Sequence, residues 1–461
     1  MQKKLLTAAV ASVLAAPCIA LAQTAASVEV YGTVYPTFGH VKYGDGFTAR
    51  DTNVSTGALV PGIVTVPSMS KFDVQAPSSN FGVRGRESLG GGLTAWFQIE
   101  QNAPLEREDT QSVTVSSRNS AAGLQGGFGN VFVGQWTTPW ADLDSLCAFG
   151  QVSVLGPVTS LIGRRESTGV APNPAQNKGG ALGSCTTSII PPGGFAVPAA
   201  GTLQCDAVVA SGGVGHAFWK RASDMIRYTS PAFSGLTFDA MYQVPELKSV
   251  GVSSGVNYTA EPSMYSTSLK WSGMGGRARV GAVIDRHKDF TSIGKTDTGY
   301  AVKGGFNFGV VDIGAAYENM TYKCGKFNST AAQGGPIAAS ATAGTDLPTL
   351  CAAEGDVKSK VWSVAGSVPV GIGAIKAFYA KASSMTGVIG VGSTGAKEWG
   401  LGYDHRFSKR TSVGVEYTKI DNERNAQFTW TGMAPTQTGA SNTPVFGSSV
   451  TWVFVGMVHR F

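Results

Sequence analysis

The sequence predicts an all-β fold, a sixteen-stranded antiparallel transmembrane β-barrel. Three observations carry that prediction. Apolar and polar residues alternate with period two in segment after segment, as in strands with two unlike faces. The connections between these segments alternate between short turns and long loops. The composition is that of an exported, sparsely charged chain: 14% Asp, Glu, Lys and Arg, with 61 glycines in 461 residues, where a soluble domain carries about 25% charged residues.

The elements follow in order. Residues 1–22 read as a signal peptide: Lys3 and Lys4 precede the apolar run Leu5 to Ala16, and Ala20-Leu21-Ala22 is a small-x-small cleavage site. Residues 23–461 then form the barrel, with net charge +4 once the two signal lysines leave the +6 of the full chain. No later stretch approaches the roughly 20 consecutive apolar residues of a spanning helix. Alternation marks strands at 28–43, 69–87, 92–103, 112–125, 129–136, 222–230, 235–245, 259–271, 277–287, 296–308, 311–323, 357–368, 372–383, 396–407, 410–420 and 450–461. Leu93, Ala95, Phe97 and Ile99 share one face, against Thr94, Trp96, Gln98 and Glu100 on the other. Trp399, Leu401, Tyr403, His405 and Phe407 repeat the pattern near the C-terminus.

Every second connection is tight, as at Leu89-Gly90-Gly91, Gly126-Gly127-Phe128, Gly309-Val310 and Ser408-Lys409, while those between run from about 8 residues to over 80. Short turns at one end and long loops at the other belong to a membrane barrel, and nothing in a soluble sandwich demands that sorting. In lipid the apolar face points outward. The inward set then includes Glu29, Arg84, Arg86, Arg118, Arg227, Arg279, Asp285, Lys303, Asp312, Glu318, Asp404 and Glu416. So many charges of both signs do not pack dry, and sixteen strands enclose more width than side chains fill. The interior is therefore expected to be wet. On strand 112–125 the outward set is Val113, Val115, Ser117, Asn119 and Ala121; Asn119 suits lipid poorly, so a subunit contact is expected to shelter it.

Together Val28-Glu29-Val30-Tyr31-Gly32, Ser79-Asn80-Phe81-Gly82-Val83-Arg84-Gly85 with Leu89-Gly90-Gly91-Gly92-Leu93, Gly127 to Gly134, Ile226-Arg227-Tyr228-Thr229-Ser230-Pro231, Leu401-Gly402-Tyr403-Asp404 and Val455 to Phe461 resemble the general diffusion porins of Gram-negative bacteria along the whole mature chain. The resemblance implies a homotrimer in the outer membrane and passive passage of small hydrophilic solutes. It also implies a third external loop folded into the lumen, whose acids face basic residues on the wall, and a terminal Phe read by the assembly machinery. On this chain Arg118 and Arg84 fall at basic wall positions, Arg227 lies two residues from a third, which Thr229 holds, Asn80 takes another, and the assembly signal falls at Phe461. The acidic loop positions are Asp142 and Asp144, which equally suit a role as anchors of the loop.

The third loop, about 137–221, is roughly twice the usual length for the family and includes Ile190-Pro191-Pro192-Gly193-Gly194. Its enlargement leaves open a substrate-specific channel as the alternative to general diffusion. The inward arginines and positive net charge suggest a mild preference for anions. Of the five cysteines beyond the signal, Cys185 and Cys205 share the third loop, and Cys324 and Cys351 share the sixth. Disulfides closing each loop internally would leave Cys147 free.

No enzyme, cofactor, metal or nucleic-acid role has support. Gly251-Val252-Ser253-Ser254-Gly255 lacks the strand-turn-helix setting of a nucleophilic Ser, and Gly390 to Gly395 opens no helix for a dinucleotide. The five histidines show no ligand spacing, and Lys-rich runs are absent. An adhesin or receptor acting through the long loops is the remaining competitor. Phe461 closes an alternating segment that needs a neighbour, expected to be the strand around Val28 to Lys42. Deleting Phe461 should lower the yield of assembled trimer without changing the selectivity of any pore that forms; normal trimer yield on unheated gels would contradict this.

Overall fold

The computed structural model describes residues 27–47, 63–76, 79–103, 105, 116–147, 218–219, 221–245, 249–253, 256–261, 263–288, 295–323, 356–384, 386, 393–426, 428 and 446–461. The expected signal peptide, residues 1–22, lies outside them. The described chain is a closed sixteen-stranded antiparallel barrel. β1 runs in two pieces, Ser27–Val34 and Thr37–Tyr43, and β2 likewise, Met69–Gln75 and Asn80–Gly90. The break in β1 falls at Pro36, which has no N–H to give a ladder. There the Ser79 hydroxyl accepts from the Tyr35 N–H at 2.9 Å.

The next strands are β3 (Leu93–Asn102), β4 (Ser120–Gly126), β5 (Gly129–Thr137), β6 (Arg221–Thr229), β7 (Leu236–Gln243), β8 (Ser263–Gly273) and β9 (Ala278–Lys288). They are followed by β10 (Thr296–Asn307), β11 (Asp312–Tyr322), β12 (Val357–Val370), β13 (Gly373–Ala382), β14 (Ala396–Arg406), β15 (Thr411–Asn422) and β16 (Ser449–Arg460). Each pairs antiparallel with its sequence neighbour, from Asn80↔Asn102 at β2–β3 to Thr411↔His459 at β15–β16. A small hairpin, Ser249–Ser253 with Val256–Ala260, stands on the loop between β7 and β8.

The seam joins β16 to β1, from Thr37↔Gly456 to Tyr43↔Val450. Gly32 and Phe461 exchange both backbone hydrogen bonds at 3.2 Å, so the expected partner of the last strand is the observed one. Gly39 sits opposite Phe454 at this seam. A Cβ there would run into the Val453 carbonyl oxygen and lie 2.6 Å from Trp452 Nε1.

The faces are inverted relative to a soluble protein. Phe38, Phe97, Ile99, Ile226, Ile284, Val302 and Leu401 are exposed, while Asp239, Asp285, Lys303, Glu318 and Glu416 are buried on the inner side. No described helix is long and apolar enough to cross a membrane; the crossing is made by strands.

One face assignment is corrected. Among the described residues the fourth strand begins at Ser120, after irregular residues 116–119, and Ala122, not Ala121, pairs with the exposed Val133. Ala121 is buried beside Phe132 inside the barrel. Asn119 is tied to its own barrel, its Oδ1 accepting from Thr137 N at 3.1 Å and from Arg221 Nε at 2.7 Å, so it needs no subunit contact to satisfy it. The cause is Ser116, whose φ of 62° and the irregular residues after it break the count of two. Residues 111–115 lie outside the described residues.

Gly39→Val should jam the seam at a cost of about 1–3 kcal/mol, the usual range for overpacking. Its readout is a smaller fraction of heat-modifiable barrel on unheated gels and a lower Tm; wild-type values would show that the seam can shift to admit the side chain.

Candidate functional site

The interior is shaped by the segment that follows β5. Thr138 caps a single helical turn, α1 (Pro139–Asp142), its Oγ1 accepting from Ala141 N at 3.3 Å, with Pro139 at the first helical position. A 3-10 turn, Leu143–Leu146, continues it. Trp140 and Leu143 are fully buried, packed with Phe218, which precedes β6, and with Val283, Ala301 and Ala316 on the inner faces of β9, β10 and β11. The wall gives way to them at two glycines. A Cβ on Gly299 would lie 2.8 Å from Phe218 and 3.0 Å from Trp140, and one on Gly281 would lie 2.7 Å from Leu146. The opening of the third loop therefore lies inside the barrel; residues 148–217 lie outside the described residues.

Two acids fix this segment to the wall. Asp142 Oδ2 is 2.6 Å from Arg227 Nη2, and its Oδ1 accepts from Thr137 Oγ1 at 2.8 Å. Arg227 also meets Asp239 at 2.8 Å and donates to the Thr137 carbonyl at 3.0 Å. Lys270 reaches the other Asp239 oxygen at 2.8 Å, so the cluster holds two carboxylates and two cations. Asp144 Oδ1 is 2.5 Å from the buried Lys303 Nζ, which is 2.6 Å from Glu318. Trp219 Nε1 donates to Asp144 Oδ2 at 2.6 Å, and Trp140 Nε1 to Glu318 at 3.2 Å. Arg279 adds a third tie, donating to the Leu146 carbonyl at 2.7 Å while paired with Asp312 at 2.6 Å. Charges this deep are tolerable only when matched and hydrogen-bonded.

The sequence-predicted residues separate into two groups. Arg227, Asp142 and Asp144 belong to the loop attachment. Arg118 and Arg84 belong to another network: Arg118 pairs with Glu100 at 2.5 Å, Glu100 accepts from Tyr31 Oη at 3.0 Å, and Arg84 lies over the Tyr31 ring at 4.7 Å while pairing with Glu29. Lys303, Glu318, Arg279 and Asp312 carry the inward parity in the sequence, but nothing local marks them as partners of the loop. Cys147 is a buried free thiol, its pKa pushed up to about 12 by burial, which keeps it in the unreactive form. Cys185, Cys205, Cys324 and Cys351 lie outside the described residues.

Inward charge is not fully matched. Arg86 on β2 and Arg406 on β14 are exposed and make no ion pair among the described residues, whereas Glu29, Glu100, Asp142, Asp144, Asp239 and Glu318 each have a basic partner.

A family model described as Gram-negative porin matches residues 7–425. Among curated relatives, the major outer membrane protein P.IB of Neisseria gonorrhoeae is 28% identical over 123 residues, 26% of this chain and 30% of that protein; the match thus spans under a third of the relative's length. Among solved structures, an anion-selective porin from Comamonas acidovorans superposes with a TM-score of 0.60 at 19% identity, covering 95% of this chain and 100% of that one. The trimer form of OmpT from Vibrio cholerae superposes at 0.51 with 15% identity, covering 95% and 100%. These likenesses concern the fold.

Lys303→Met should leave Asp144 and Glu318 facing each other without their cation, at a cost of about 3–5 kcal/mol. The readout is faster protease cleavage near residues 138–147 in the folded barrel, with protection recovered when Asp144→Asn and Glu318→Gln are added. Undiminished protection in the single variant would mean that the apolar contacts of Trp140 and Leu143 hold the loop alone.

Proposed function

The chain belongs to the Gram-negative porin family, and on that premise we propose that its barrel is a water-filled outer-membrane channel for passive diffusion of small hydrophilic solutes, with a mild preference for anions. The observation that supports the reading most is the inverted barrel itself, apolar outside and lined inside with charged side chains. Such a lining is stable only if hydrated or paired, and the barrel is too wide to fill. α1 and the turn after it narrow the lumen from the β6–β11 side, where Asp142, on Arg227 of β6, and Asp144, on Lys303 of β10, act as anchors of the loop. Asp142 is held by Arg227, and Asp144 shares Lys303 with Glu318, while Arg86 and Arg406, which make no ion pair among the described residues, add exposed basic charge to the wall. The structural likeness to an anion-selective porin agrees with this sign. A homotrimer is proposed from the family and from the trimeric OmpT neighbour. Phe461 serves assembly, and the disulfides Cys185–Cys205 and Cys324–Cys351 tie the long loops.

The reversal potential of reconstituted channels in a potassium chloride gradient tests the preference: its sign should report chloride as the more permeant ion. The combined variant Arg86→Gln, Arg406→Gln should lower the chloride-to-potassium ratio. The drop should be larger at 0.1 M than at 1 M salt, since screening shortens from about 10 Å to about 3 Å. A potassium preference in the unaltered channel would overturn the assignment.

A further inference from the structure

On the inner wall beside the root of the loop, β2, β3 and β5 enclose a recess of about 290 Å³ whose lining includes Glu29, Arg84, Arg86, Trp96, Asn130 and Trp136. That is roughly twice the 150 Å³ or so of an apolar cavity able to hold one benzene. Its aromatic wall is built and fixed. Trp96 and Trp136 meet edge to face with ring centroids 5.9 Å apart, and both rest on Phe132 at 5.3 Å. Phe132 is buried, and the Arg227 guanidinium lies 5.9 Å from its ring centroid. The Trp96 Nε1–H is used by Asn130 Oδ1 at 2.8 Å, which sets the indole plane. Two large rings held in this way keep partly exposed surface towards the recess without a flexible side chain to order on binding.

The charge of the recess is equally specific. Glu29 is taken by Arg84, so the acid adds no free negative charge. Arg86 stands directly across the strand pair from Trp96, within the spacing at which cross-strand side chains touch, and has no ion-pair partner among the described residues. A rigid planar aromatic surface beside a free guanidinium fits a planar ring carrying a carboxylate. The ring stacks or packs edge-on against indole, and the guanidinium takes the two oxygens together. A neutral sugar would leave Arg86 unmatched, and a cation would meet it as a like charge.

We propose that this recess is a binding site for small aromatic carboxylates crossing the barrel, with the ring against Trp96 and Trp136 and the carboxylate on Arg86. The inference rests on the channel reading and names a solute class within it: the site gives one class of organic anion a stopping point, so its flux saturates where that of chloride does not.

The test is ion conductance of the full-length reconstituted protein with benzoate, cyclohexanecarboxylate, benzyl alcohol and glucose added in turn. Benzoate should block saturably, cyclohexanecarboxylate more weakly, and benzyl alcohol and glucose not at all. Trp96→Ala and Arg86→Gln should each raise the half-blocking benzoate concentration about tenfold, the scale of one aromatic contact or one charge-assisted hydrogen bond. Lys409→Gln, in the exposed β14–β15 turn, removes a charge outside the recess and should leave the block unchanged. The solute series on the unaltered protein needs no variant to fold. Conductance with no saturable benzoate block, or equal block by benzoate and cyclohexanecarboxylate, overturns the site and leaves the channel reading standing. A protein that conducts no ions at all defeats the channel reading, and this site with it.

Discussion

Inside a bilayer no water is present to satisfy a backbone N–H or C=O, and each one left open costs several kcal/mol. That constraint closes the sheet, and the rest of the structure depends on closure. β1 must meet β16, and it does so residue by residue from Tyr43↔Val450 to Val34↔His459, with the Gly32–Phe461 pair beyond. A seam this close leaves no room for a side chain at Gly39, where Trp452 and Phe454 already stack at 4.0 Å between centroids. Closure also fixes which face is which. Once Phe97, Ile99 and Val302 meet lipid, the alternation sends Trp96, Gln98 and Lys303 inward whatever their chemistry.

A ring of sixteen strands encloses more space than its own side chains occupy, and the two sides of this interior meet that excess differently. Along β6–β11 the wall is covered. Two glycines, Gly281 and Gly299, make room for Leu146, Trp140 and Phe218, and the wall cations Arg227 and Lys303 find their counter-ions on the loop as well as on neighbouring strands. Apolar contact supplies most of the adhesion, and the ion pairs fix the register of the segment, since a shift of one residue would strand a carboxylate against the wrong partner. Along β2–β5 the recess stays open, walled by aromatic rings that pack on each other.

The fold was legible in the sequence because closure, alternation and turn length are local or periodic signals. Each of the sixteen predicted segments overlaps an observed strand, and the inward parity of Lys303, Glu318, Arg279 and Asp312 follows from counting by two. The count failed where the backbone leaves the β region: Ser116 has a φ of 62° and the strand begins only at Ser120 among the described residues, so Ala121 faces inward. No composition rule marks a serine for that conformation. The candidate site was legible in residue type but not in pairing. Asp142 and Asp144 are two residues apart, yet Asp142 reaches β6 and Asp144 reaches β10, because the chain passes from α1 into a tighter turn at Leu143. Partners 85 and 159 residues away along the chain are set by depth in the barrel, which a one-dimensional pattern does not encode.

The electrostatic character of the lumen follows from that pairing more than from the count of charges. A carboxylate held 2.5 or 2.6 Å from a cation presents a dipole to the solvent, and its field falls faster than that of a lone charge. The acids of the loop, which by type would make the passage attractive to cations, are spent on holding the loop in place. An unpaired guanidinium on the wall keeps its full charge in a space narrowed by protein, where the field is screened less than at an open surface. The sign presented to a solute is thus decided by which groups lack partners, and at Arg86 that lack coincides with a fixed aromatic surface directly across the strand pair.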